Sequence, residues 1–378
     1  MALSPNYGWA EPDNSSLVKN GASDIRTLGD AIDTSVWNVG YGQAGKNKII
    51  NGDFAINQRG WTTSTANNSY GFDRFQQRNS GGTVTMTPQT FTAGAAPVAG
   101  YEAKNFVQLV TATQSAAGDY AILTNRMEDV RTFAGQTINI SFWAKATSGT
   151  PKIGVEISQA FSVATGGSAD VNTAISAVTI STSWVRYSVS VAVPSITGKT
   201  VGTANGYLEL NLWISAGATF ATRASSIGIQ NGTFQFWGVQ AEYGSKATPF
   251  QTASGGSPQA ELAMCQRYYQ RIYSDAAYGF LGSGKATTTG NLQISVPFQT
   301  TMRIIPSTLD TSAMATFLFE QGATSGNTPT TIAFNTNINN TKTGSVDVTK
   351  AASFVIGSYY WLLGNNTSSA YLGFSAEL

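Results

Sequence analysis

Histidine is absent from this 378-residue chain, cysteine occurs once, and charged residues make up only 11% of it. Without imidazole, neither Ser-His-Asp nor Cys-His nucleophile systems can be assembled, and imidazole-ligated zinc sites are excluded as well. Cys265 stands alone, so there is no intrachain disulfide and no Cys-x-x-Cys metal or redox site. Stability must come from packing or from other subunits. The 22 basic and 21 acidic residues leave a net charge of +1, and no stretch concentrates Lys or Arg into a phosphate-tracking stripe, so nucleic acid is not an expected partner. No apolar run is long enough to span a bilayer, and no signal-peptide pattern follows Met1. The polar positions are filled instead by Gly, Ser, Thr, Asn and Ala, which predicts a hydroxyl- and amide-rich surface.

The length suffices for two domains and a short extra segment. Residues 1–45 hold a candidate helix near Asp24–Ser35, where Ile25, Leu28, Ile32 and Val36 recur at helical spacing. That stripe is too short to form a core and must dock on something. Residues 46–253 read as strands. Thr137–Ala146, Lys152–Ser158, Trp184–Val193, Tyr207–Ser215 and Thr233–Tyr243 alternate with period two between Gly, Ser, Thr and Asn turns. No long helical stripe interrupts them, which predicts an antiparallel β-sandwich of jelly-roll type. At the joint Ser254–Ser257 the period changes: Leu262, Cys265, Tyr269 and Ile272 mark one amphipathic helix of about four turns, starting at Ser257 or Pro258. Short alternating strands fill the rest of 254–378 and predict a smaller C-terminal β-sandwich. Pro297, within the strand around Leu292–Phe298, argues for an edge or an inter-subunit margin.

Strand parity singles out three tryptophans. Ile138, Ile140, Phe142 and Ala144 form one apolar face, which leaves Trp143 beside Asn139, Ser141 and Lys145. Trp184 falls with Arg186, Ser188 and Ser190, and Trp213 with Glu209 and Asn211. All three rings are expected on the solvent side, where a ring can cover the C–H face of a pyranose while polar neighbours bond its hydroxyls. An outward tryptophan suits a subunit or domain interface equally, and a bulge would reverse the assignment in any one strand. Tyr359, Tyr360 and Trp361 are consecutive, so at least one must face outward or into an interface. Polar loops at Gln321–Thr330 and Asn335–Gly344 lie in the same module. Carboxylates are scattered through the sandwich, and linear spacing selects no pair for glycoside hydrolysis. Asp73 and Arg74 read as a structural pair at a loop-to-strand junction.

The opening Lys46–Gly60 (KNKIINGDFAINQRG), the central SFWAKA, the closing FWGVQAEYG and the following ELAMCQRYYQ resemble the tail-fibre and receptor-binding proteins of bacteriophages, with a carbohydrate-binding-module-like sandwich. The resemblance implies a homotrimeric virion adhesin that binds host surface polysaccharide without cleaving it. Residues 1–45 would be the stem attaching it to another tail or baseplate protein. Related sandwiches hold a structural calcium near their termini, for which Asp53 and Glu242 on the opening and closing strands are the candidates. The glycan candidates are Trp143, Trp184, Trp213, Arg186, Glu209, Asn211, Tyr359 and Trp361. A collar or baseplate adaptor without receptor binding, or a depolymerase tailspike, are the alternatives.

Overall fold

The structure is a computed structural model that describes residues 2–4, 8–13, 17–39, 45–98, 101–204, 206–322, 326–335 and 337–378. The side chain of Val36, last in the predicted helical stripe, lies outside the described residues, as do 323–325 and 336 of the two polar loops. Near the N-terminus β1 (Ala2–Leu3) pairs with β2 (Ala10–Glu11), beside helix α1 (Gly21–Val39). Trp9 Nε1 donates to Ser35 Oγ at 2.8 Å. The helix extends beyond the predicted span at both ends, and although it lies beside β2, among the described residues Ile25 and Ile32 remain 66% and 38% exposed.

The larger module is an antiparallel sandwich of jelly-roll type. Its strands are β3 (Ser69–Tyr70), β4 (Phe75–Ser80), β5 (Thr83–Thr90), β6 (Asn105–Ala112), β7 (Tyr120–Glu128), β8 (Thr137–Ala146), β9 (Lys152–Ala160), β10 (Val171–Thr179), β11 (Val185–Ala192), β12 (Tyr207–Ala216) and β13 (Gly232–Tyr243). One sheet has the order β10-β9-β12-β7-β4-β3 and the other β11-β8-β13-β6-β5. From β6 onward nearly every connection crosses between sheets, so the inner face of each strand meets the opposite sheet. Ile138, Ile140, Phe142, Leu208, Leu210, Leu212, Phe234 and Phe236 all join this core, each large side chain contributing about 1.5–3 kcal/mol by its burial. A bulge between Trp237 and Gln240 interrupts the pairing of β13 with β8. Gly238 occupies it with φ of 63°. A Cβ there would lie 2.6 Å from Trp143 Cε3, so glycine is required both for its backbone angle and for the approach of the ring.

The opening segment is not the strand that its sequence suggests. Asn51 and Phe54 take left-handed angles, φ 61° and 57°, and the backbone bonds that a ladder would satisfy go to buried amides instead. Asn47 Nδ2 donates to the carbonyls of Val239 (3.1 Å) and Gln251 (3.0 Å), while its Oδ1 accepts from Ile49 N and Ala241 N. Asn51 does the same for Ile56 and Asp73.

The C-terminal module opens with α2 (Pro258–Gln266), capped by Ser257 Oγ, which accepts from Ala260 N, with Pro258 in the first turn. This helix is shorter than predicted because Tyr269 and Ile272 belong to strand β14 (Tyr269–Tyr273), paired with β22 (Tyr371–Ser375) far along the chain. Its inward residues are Glu261 and Cys265, whereas Leu262 is exposed. The remaining strands are β15 (Phe280–Ala286), β16 (Asn291–Pro297), β17 (Thr308–Thr311), β18 (Phe317–Glu320), β19 (Thr331–Phe334), β20 (Thr343–Thr349) and β21 (Tyr359–Gly364). They form a three-stranded sheet, β14-β22-β17, and a six-stranded sheet, β18-β21-β15-β16-β20-β19, around a second core that includes Leu292, Ile294, Val346, Leu362 and Phe374. Pro297 therefore does not mark an edge: β16 is an interior strand, and the proline is its last residue, where the missing donor costs least.

The chain after β22 returns to the sandwich. Glu377 pairs with Arg59 at 3.1 Å and with buried Arg74, and Arg126 and Tyr70 donate to the main-chain oxygen of Leu378. Arg303 holds the carbonyls of Ala376 (3.0 Å) and Glu377 (2.8 Å). Arg267 closes the same seam on Glu128. Asp73 and Arg74 are thus not a pair with each other: Asp73 accepts from Gln58 while Arg74 faces Glu377 and stacks 3.5 Å over the Tyr268 ring.

Candidate functional site

Period two governs β21, so Tyr359 and Trp361 share one face while Tyr360, only 5% exposed, points into the core. Tyr359 is 72% and Trp361 49% exposed. Same-face residues on one strand stand roughly 6.6 Å apart along it. Across the sheet, Trp361 lies opposite Ser283 of β15 and Glu320 of β18, and Tyr359 lies opposite Lys285. The next strand adds Ser295 and Gln293 in register with Ser283 and Lys285. Residues in register share a face, so two accessible rings are flanked by hydroxyl, amide, ammonium and carboxylate groups. Ser283, Lys285, Gln293 and Glu320 are not singled out by the sequence. Parity within SYYWLLG identifies the rings, but their neighbours come from strands whose register is set by three-dimensional pairing.

The three sandwich tryptophans lie on the outer faces, as parity requires, but they are not the solvent-facing rings expected. Trp213 is 1% exposed because residues 217–230 fold back over it: Ala224, Ile227 and Phe220 join Ile122 and Tyr120 in a separate small core. Trp143 is 9% exposed, packed at a tilt on Trp237 at 5.1 Å and edge-to-face on Phe250 at 6.0 Å. Arg186 covers it, its guanidinium carbon 4.6 Å from the ring centre, while donating to Ser141 Oγ (2.9 Å) and the Thr248 carbonyl (2.6 Å). Only Trp184 keeps part of its ring accessible, against Phe91 and Phe106 and under Lys145 Nζ at 5.2 Å. An outward-facing ring is a good hydrophobe, and the loops between strands have taken these two as further packing surface.

Glu209 and Asn211 are buried in a network on the six-stranded face. Glu209 accepts from Arg78 at 2.7 Å and Arg126 at 2.8 Å. Asn211 Nδ2 bridges Glu209 (3.0 Å) and Glu156 (3.1 Å), while its Oδ1 accepts from Thr124. Glu156 also accepts from two guanidinium nitrogens of Arg223, Nε at 2.6 Å and Nη2 at 2.9 Å, and from Trp213 Nε1 at 3.0 Å. β-Pairing brings these two carboxylates together, Asn211 standing opposite Glu156, which linear spacing could not show. Each is saturated by donors that fix the sheet face.

Asp53 and Glu242 have separate partners. Asp53 accepts from Tyr101 at 2.7 Å, whereas Glu242 is held by Thr248, Gln240 and Lys46. Among the described residues no cluster of three or more Asp, Glu, His or Cys is arranged to hold a metal ion, and no helix is long and apolar enough to cross a membrane.

No protein-family model and no curated protein sequence matches the chain. Solved structures do. A tailspike protein 4 domain of bacteriophage CBA120, described as enzymatically active, matches at 16% identity with a TM-score of 0.30, over 52% of this chain and 21% of its own. A structure titled "CBM4 structure and function" matches at 15% identity and TM-score 0.30, over 52% of this chain and 99% of that one. The family 11 carbohydrate-binding module of Clostridium thermocellum, bound to a mixed-linked tetrasaccharide, matches at 11% identity and TM-score 0.29, over 49% and 97%. These likenesses are weak; it is strand order and register that make the larger module a jelly roll.

Proposed function

We propose that the chain is a virion adhesin, a tail-fibre or receptor-binding protein that holds host surface glycan and does not transform it. The reading is carried by the exposed pair Tyr359 and Trp361 with Ser283, Lys285 and Glu320 beside them: two rings at the spacing of one strand face, rimmed by hydrogen-bonding groups, suit a sugar chain lying across the sheet. The motifs resembling phage tail fibres support the setting. In this reading three copies assemble, with the exposed Ile25 and Ile32 of α1 facing sister helices, and residues 1–45 meet another tail or baseplate protein. Weak sites repeated on a trimer, and on many trimers per particle, gain avidity without strong single contacts.

A glycan array of bacterial surface polysaccharides tests it. The purified protein should bind at least one polysaccharide, Trp361→Ala and Tyr359→Ala should each weaken that binding, and no new reducing ends should appear. A second reading is favoured by Val355 and Ile356, both exposed and just before the aromatic pair: the same strip could pack against a neighbouring virion protein in a collar or baseplate adaptor. If labelled protein leaves host cells unstained yet bridges two other virion proteins, the adaptor reading replaces the adhesin.

A further inference from the structure

We infer that the cavity where the sandwich meets α2 is a second ligand pocket, taking one residue of a neutral saccharide. It lies apart from the Tyr359 and Trp361 face, on different elements, and does not depend on the adhesin reading. Its volume is about 490 Å³, within the range of small-ligand sites, which combine apolar walls with a few converging polar groups. Ile56, Ala103 and Pro258 supply the apolar walls, and Tyr101, Asp53 and Glu261 the polar floor.

The polar groups are fixed from behind. The Tyr101 ring packs on Trp237 at 5.5 Å and Phe250 at 5.4 Å, and its hydroxyl donates to Asp53 Oδ2 at 2.7 Å. Among the described residues Asp53 Oδ1 accepts from main-chain donors, the contact from Ala55 N being long at 3.4 Å, so it retains lone-pair capacity for a ligand hydroxyl. Glu261 is engaged on both oxygens by main-chain donors, Asn51 N at 2.6 Å and Ser254 N at 2.8 Å. Neither carboxyl belongs to a described ion pair.

A neutral ligand fits these groups best. Burial pushes the Asp53 carboxyl above its usual range; the Tyr101 bond opposes the shift and the Glu261 charge adds to it. A sugar hydroxyl can donate to the ionised form or accept from the protonated one, so it matches Asp53 in either state. At the mouth, Lys104 and Glu102 are exposed and of opposite sign and offset each other; the excess charge of the lining is that of the two inner carboxyls, of which Glu261 is already satisfied by two main-chain donors and Asp53 is pushed toward its neutral form by burial. Because the walls come from both modules, an occupied pocket would also tie them together.

Saturation-transfer NMR on the full chain tests this with D-glucose, D-galactose, N-acetyl-D-glucosamine and L-rhamnose, and with cationic D-glucosamine as comparator. Ala55 is exposed and lines the cavity, so Ala55→Trp plugs the mouth without entering the core. At least one neutral sugar should show transfer. In a Trp361→Ala background, which removes the tip face from the readout, Ala55→Trp should abolish it and Asp53→Asn should weaken the affinity at least tenfold. The inference is overturned if no neutral sugar shows transfer in that background, if transfer there survives Ala55→Trp, or if glucosamine alone binds. Since Trp361→Ala and Ala55→Trp address different faces, loss of polysaccharide binding in one and of monosaccharide binding in the other report separately on the two proposals.

Discussion

Glu377→Gln should be among the most damaging single substitutions in this protein, although it changes one atom type. Arg74 is 2% exposed, and its only described counter-ion is Glu377, contributed by the other module. Two contacts remain when the charge goes, the stack on Tyr268 and the bond to the Arg126 carbonyl, but neither neutralises a guanidinium. Removing one member of a buried ion pair costs about 3–5 kcal/mol, because the other charge is left desolvated and uncompensated. Arg59, on the same carboxylate at 3.1 Å, has side-chain exposure of 14% and recovers part of its solvation. Urea unfolding followed by tryptophan fluorescence should place Glu377→Gln about 3 kcal/mol below the parent. The double variant Arg74→Met with Glu377→Gln should regain most of that loss, since a hydrophobic replacement for both partners is often neutral. A loss under about 1 kcal/mol for Glu377→Gln, or a double variant no better than the single one, would refute the view that this pair joins the modules.

Other expectations can be checked in the same assay. Burial pushes the Asp73 carboxyl up to about 6 from 3.8, against the lowering effects of Arg59 and Gln58. The folded chain therefore binds this proton more tightly than the unfolded one, and the stability it contributes is fully present below about pH 4 and lost as pH rises through about 6. In Asp73→Asn that fall between pH 4 and 6 should be missing from the urea midpoints. Gly238→Ala should cost about 1–3 kcal/mol, from the positive φ and the crowding of Trp143 together, with a change in near-ultraviolet circular dichroism as the ring shifts. Trp361→Ala should weaken polysaccharide binding by about 1–2 kcal/mol, roughly 5- to 30-fold, and leave the urea midpoint in place.

Period two made much of the sandwich legible, because β8, β12 and β13 each bury one face against the opposite sheet and keep the other polar. The same parity placed Trp143 and Trp213 on the outer face correctly and misjudged their exposure. What covers Trp213 is the 217–230 segment, whose turns and 3-10 geometry carry no periodicity to read. The opening segment misled for a related reason: its apolar residues are buried as a strand's would be, yet Asn47 and Asn51 meet its backbone through side-chain amides. The predicted four-turn helix ends at Gln266, because Tyr269 and Ile272, which satisfy helical spacing, also pair well in a sheet, and the partner, β22, lies about a hundred residues away. The Glu156–Asn211–Glu209 network depends wholly on which strands are neighbours, although two polar residues at i and i+2 opposite three leucines were a visible hint of it. At the tip, the SYYWLLG alternation revealed both exposed rings, while Lys285 and Glu320 reach them only through pairing.

The tail at Ala376–Leu378 has a mechanical consequence. A tether at Ser254–Ser257 alone would let the tip swivel about a single point, but with Arg267 on Glu128 and with Glu377 and Leu378 seated among Arg59, Arg74 and Arg126 the second module is held at several places at once. In the proposed adhesin, a pull on the tip would therefore reach the sandwich through these charge clasps as well as through the chain itself.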